Sequence, residues 1–138
     1  SRENISRGLA VTEDVVREMK SKADAEGVEF GVVLIPSKEI AFYDYLKANG
    51  YEIPADYEKL VVNEDELTGE LAGFLYGLGI DYADAGPYLV TEVGKSITAY
   101  SPTDDGHPLE SGYGAYARAV YDVIITDRVS ENRRVRVK

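Results

Sequence analysis

The sequence predicts an α/β domain built around a parallel sheet, and three observations carry that prediction. The run FGVVLIP (Phe30 to Pro36) is short, continuous and rich in β-branched residues, the pattern of a strand buried on both faces. Segments of helical period flank it and a second short run, in the order helix, strand, helix, helix, strand, helix. The chain has 138 residues, 44% hydrophobic and 29% charged, which is one domain's worth at ordinary globular composition.

The first helix is expected from about Glu13 to Glu26, with Thr12 as N-cap. Val15, Val16, Met19 and Ala23 lie on one face, and Gly27 is the stop. After the Phe30–Pro36 strand, Ser37-Lys38-Glu39 leads into a short helix with Ile40, Tyr43, Leu46 and Ala48 near one face and Gly50 at its end. Tyr51 to Tyr57 contains Pro54 and reads as loop. Asn63 with Glu66 three residues on forms a capping-box pattern, and Leu67, Leu71, Phe74, Leu75 and Leu78 carry that helix to Gly79. Ile80 to Leu89 is expected to be a strand ending in a Gly-Pro loop, and Gly94-Lys95 suggests a hairpin turn in the ambiguous stretch Thr91 to Tyr100. A last helix runs from about Glu110 to Ile125, with Tyr113, Tyr116, Ala117, Val120, Tyr121 and Ile124 on its apolar face. Two firm strands are fewer than the usual four to six of an open parallel sheet. Further strands are therefore expected upstream. The chain opens without methionine, its single one being Met19, so Ser1 is expected to be a cut point.

Composition excludes several functions. A formal net charge of -10 opposes nucleic acid and anionic membrane surfaces as partners. The one basic run, Arg133-Arg134 with Arg136 and Lys138, is expected to be a solvated tail over 126–138, outside a domain spanning 1–125. With no cysteine, neither a disulfide nor a thiolate metal site can form. No apolar run approaches the length of a membrane span.

The informative segment is SPTDDGHPLESGYGAYARAV, Ser101 to Val120. It places the single histidine, His107, in a loop just before a helix whose first turn accommodates Pro108. Asp104 stands three residues before it. In a tight loop that spacing lets the carboxylate accept the imidazole N–H, fixing the tautomer and favouring the imidazolium during general-base catalysis. The nearby helix N-terminus opposes the cation, so a base titrating near neutrality is a reasonable outcome. From the residues alone the site reading is weak: a lone histidine before a helix is more often a structural loop residue, and Asp104 or Asp105 could equally be turn residues.

The block Asp104, His107, Pro108, Gly112, Tyr113, Ala117 resembles the last motif block of the SGNH (GDSL-like) hydrolase superfamily: Asp-x-x-His-Pro, then Gly-Tyr and an alanine-rich helix. VVLIPSKE is similar to the strand of its polysaccharide O-acetyltransferase-like branch. The resemblance covers about Glu13 to Ile125. It implies a three-layer, flavodoxin-like sheet whose N-terminal strands are missing here. It also implies an esterase or O-acetyltransferase acting on acyl esters, including acetylated polysaccharides, with His107 as general base, Asp104 as its orienting partner and no cofactor. It points to an extracytoplasmic setting, which the residues themselves leave open. The sequence departs from the family in lacking the Gly-Asp-Ser nucleophile block and the Gly and Asn oxyanion blocks. Of eight serines, Ser37 is the best stand-in because it follows a strand, although a helix-capping role suits it better. The resemblance thus implies the C-terminal half of such a domain, inactive alone. The non-enzymatic alternative is a structural or interaction module that merely retains the block.

Other patterns are weaker. The acidic groups Glu64-Asp65-Glu66, Asp81-Asp84 and Asp104-Asp105 lack the ligand spacing of a calcium loop. Eleven tyrosines invite a sugar-binding reading, but many fall on helical faces. The glycines of YGLGIDYADAG do not form a dinucleotide loop. A half sheet would leave strand edges open, so self-association through them is expected.

Overall fold

The computed structural model describes residues 2–103 and 106–126. The elements are α1 (Arg2–Ala25), β1 (Gly31–Leu34), α2 (Lys38–Ala48), α3 (Ala55–Gly77), β2 (Asp81–Asp84), α4 (Gly86–Lys95), a 3-10 turn (Ile97–Ala99) and α5 (Glu110–Ala119). The last helix continues as a π-helical stretch, Val120–Ile125. The class is α/β and mostly helical, with β1 and β2 paired in parallel from Gly31 opposite Asp81 to Leu34 opposite Asp84.

The main core joins Ala41 of α2, Ala83 and Ala85 of β2 and its exit, and Leu89 and Val93 of α4. It continues through Ala99 and Tyr100 to Ala115 and Ala119 of α5 and on to Ile124. Val33 and Ala83 are register partners and both belong to it, so this core lies against one face of the sheet. Hydrophobic burial of this kind supplies the main drive to fold, while small residues let the helices approach closely. Across the rest of the molecule α3 packs on β2 and α2, and α1 packs on α3, where the Arg17 guanidinium sits 4.6 Å over the Phe74 ring.

Several expectations change. α1 starts eleven residues earlier than Glu13, because Thr12 bonds back to the Gly8 carbonyl at 3.0 Å inside the helix instead of capping it. Its half-buried row is Leu9, Glu13, Val16, Lys20 and Ala23, leaving Val15 and Met19 exposed. α3 begins directly after Pro54, so Asn63 is a helix-interior residue and no capping box operates there. Leu67, Leu71, Phe74, Leu75 and Leu78 do form its covered face. The Gly94-Lys95 hairpin is replaced by α4, which starts with Pro87 in its first turn and buries Leu89 and Val93 four residues apart. Asp84 secures that start, its Oδ1 accepting the Gly86 N–H at 2.8 Å. On α2 the core side is Ala41, Phe42 and Tyr45, while Tyr43 stacks on Tyr57 of α3. On α5 it is Gly112, Ala115 and Ala119, with Tyr113 and Tyr121 exposed. β1 is half-buried, not covered on both faces, since among the described residues no strand flanks it beyond β2. The finer expectation of a three-layer flavodoxin-like sheet goes beyond these two strands. Of the expected 126–138 tail, residues 127–138 lie outside the described residues.

Candidate functional site

The carboxyl end of β1 opens onto a cleft of about 450 Å³. One wall is the strand exit and the start of α2, from Ile35 to Glu39; the other is Gly106, His107 and Pro108 with Tyr113 and Tyr116 of α5. Crevices beyond the carboxyl ends of parallel strands are where open α/β sheets bind ligands. The structure therefore brings His107 and Ser37, seventy residues apart in sequence, to the same cleft.

The loop bearing His107 is closed at its base by local sequence. Tyr100 and Pro108 form an antiparallel bridge, and the Leu109 N–H donates to the Ala99 carbonyl at 2.8 Å. Gly112 is seated against that base: a Cβ there would lie 2.5 Å from Pro108 Cβ and 2.6 Å from the Ala99 oxygen. Glycine at this position is thus a packing requirement of the loop. His107 itself is exposed at the cleft rim and makes contacts of its own. Asp104, its expected partner, and Asp105 lie outside the described residues.

Ser37 is the N-cap of α2. Its Oγ accepts from the Ile40 N–H at 3.4 Å, and its own N–H donates to Glu64 Oε1 at 2.5 Å. The capping role expected from the sequence is therefore present, and a carboxylate from α3 reinforces it at the positive end of the helix. Comparison with known proteins adds no relative. No family model, no curated protein and no solved structure matches the chain.

Two residues of the site carry no sequence signal. Lys38 donates from Nζ to the carbonyls of Ser101 and Thr103, at 2.9 and 3.0 Å, and its ammonium sits 5.9 Å from the Tyr100 ring centroid. Tyr100 is 3% exposed, and its hydroxyl, near that of Tyr116, meets no partner within ordinary hydrogen-bond geometry among the described residues. Burial pushes that phenol well above its ordinary range, and the nearby Tyr116 hydroxyl and the Glu39 and Glu64 carboxylates push it the same way. Glu39 and Tyr116 also line the cleft, which sets Tyr100 just behind its wall. Tyr113 and Tyr116 meet edge to face, with centroids 5.8 Å apart. Among the described residues no group of three His, Cys, Asp or Glu could hold a metal ion, and no helix is long and apolar enough to cross a membrane.

Proposed function

We propose that the chain supplies the Asp-His arm of an SGNH-like serine esterase or O-acetyltransferase acting on acyl esters, an acetylated polysaccharide among them. In this reading β1 and β2 belong to a larger flavodoxin-like parallel sheet. His107 takes the proton of a serine hydroxyl as that oxygen attacks the ester carbonyl, then delivers it to the departing alcohol. Asp104 holds the imidazole tautomer and stabilises the imidazolium. The serine and the oxyanion donors would come from sequence beyond these residues. The observation that supports the reading best is the placement of His107, on a loop pinned by Tyr100, Pro108 and Gly112, across a strand-end cleft from Ser37.

One observation favours the second reading, a non-catalytic module: the Ser37 hydroxyl accepts from the α2 backbone as its cap. The two separate experimentally. The chain alone should hydrolyse p-nitrophenyl acetate no faster than free imidazole. In a protein completed by an upstream Gly-Asp-Ser block, His107→Ala should lower acetyl-ester hydrolysis by roughly 10²–10⁴-fold. Unchanged hydrolysis in that variant would sink the base role. Turnover by the chain alone, with labelling of Ser37 by a serine-directed covalent probe, would make Ser37 the nucleophile instead.

A further inference from the structure

We infer that Lys38 is a positioning residue for His107: its ammonium latches the loop that carries the histidine to the element that ends β1. The inference rests on the proposed role of His107 for its functional meaning, but its geometry stands apart from it. Lys38 is the first residue of α2, next to Ser37, and borders the same cleft. Its two acceptors, the carbonyls of Ser101 and Thr103, are 63 and 65 residues further along the chain, in the limb of the loop that leads towards His107.

The chemistry suits a latch. An ammonium has three donors and no acceptor, so one side chain can bind two backbone carbonyls at once, and their dipoles favour the positive charge. The Tyr100 ring beside it adds a cation–π contact at the point where the loop begins. The bridge between Tyr100 and Pro108 closes the base of the loop, and the Ser101 and Thr103 hydroxyls pair locally at 2.9 Å. Neither contact relates the loop to β1. Lys38 reaches the loop from just beyond the β1 exit, beside the packing of Tyr100 on Phe42 of α2, and so helps to set the separation of His107 from Ser37. A second pocket, bordered by Phe42, Tyr57 and Thr103, also has Lys38 in its wall.

The chain has one histidine, so its ring signals are unambiguous in magnetic resonance. The test compares wild type, Lys38→Met and Lys38→Arg by amide hydrogen exchange at Thr103, Gly106 and His107 and by the imidazole ¹⁵N shifts of His107. Lys38→Met should speed exchange in the loop by about tenfold or more, the loss expected for one or two charge-assisted hydrogen bonds. Its ring shifts should move towards the tautomer mixture of a free imidazole. Lys38→Arg, which keeps charge and donors, should hold both readouts near wild type. Unchanged exchange and ring shifts in Lys38→Met would overturn the latch. So would wild-type loop amides that exchange as fast as those of an unstructured peptide, a result that needs no variant to fold. Retained hydrolysis in His107→Ala would count against the base role alone and leave the latch standing.

Discussion

Tyr100 places a phenol in the core where its ring packs 5.8 Å from Phe42 while its hydroxyl meets no well-formed hydrogen-bond partner among the described residues. A buried hydroxyl without a partner costs about 1–3 kcal/mol relative to its hydrated state. Tyr100→Phe keeps the ring and should raise stability at neutral pH by up to about 1 kcal/mol in urea unfolding. The effect should grow with pH. The folded phenol holds its proton above the ordinary value of 10.0, so between that value and the folded one the unfolded chain binds fewer protons. Stability is thus intact below about pH 10 and falls above it as the unfolded phenol ionises. Tyr57 and Tyr88 are raised as well, chiefly by burial, so Tyr100→Phe should flatten the alkaline loss without abolishing it. Parallel stability curves for variant and wild type between pH 8 and about 11 would contradict this assignment. No local pattern marks Tyr100 among eleven tyrosines, because its burial comes from elements far along the chain. Lys38 is silent for the same reason. His107 is legible because it is unique and framed by Asp104 and Pro108, a signal contained in five residues.

At the scale of elements, patterning marks an element wherever period and length agree, as in the leucine face of α3. The second strand, expected to reach Leu89, instead ends at Asp84, with Gly86 and Pro87 already in α4. Ends and faces are less legible. Sequence patterning weighs large apolar side chains, whereas this core is lined by alanines: Ala41, Ala83, Ala85, Ala99, Ala115 and Ala119. Small residues set the distance between packed elements, and tyrosine, apolar with a polar tip, can stay outside. This is why patterning points to Tyr113 and Tyr121 on α5 whereas Gly112, Ala115 and Ala119 form its core face. α4 is silent in the sequence because Gly86, Pro87 and Gly94 weigh against a helix locally, while Leu89 and Val93 gain enough burial to hold one. The tight seat of α5 leads to a paired expectation. Gly112→Ala should destabilise by about 1–3 kcal/mol, since Pro108 and the Ala99 carbonyl must shift to admit the methyl group. Gly69→Ala in α3, where a Cβ meets nothing within 4 Å, should stabilise by about 0.5–1 kcal/mol. Urea midpoints at equal m-value decide both, and a Gly112→Ala midpoint at or above wild type would mean the loop base is not packed as described.

For the molecule as a whole, two parallel strands are few for the helices around them. β1 carries Val32, Val33 and Leu34 no better than half-buried, and Ile35 just beyond it is 56% exposed. Parallel sheets are ordinarily covered on both faces and continued on at least one side. Here the outer edges of β1 and β2 have no further strand among the described residues. The edge of β1 also lacks the usual protections: Gly31 to Leu34 contains no charge and no proline. Backbone donors and acceptors pointing outward from such a strand are satisfied by water or by another strand, and a second copy offers an identical edge. Across a two-fold axis that pairing is antiparallel and self-complementary. The net charge of -10 opposes it, because two copies repel over distances that salt shortens to about 8 Å at physiological ionic strength. Association is therefore expected to be weak at low salt and to strengthen as salt is added, the reverse of an interface held by ion pairs. Light scattering across a concentration series should show masses above 15.2 kDa, rising with sodium chloride. Ile35→Lys, which sets a charge beside the strand, should return the mass towards the monomer. A mass of one chain at every concentration and salt would mean that the edge is protected by something other than a copy of itself.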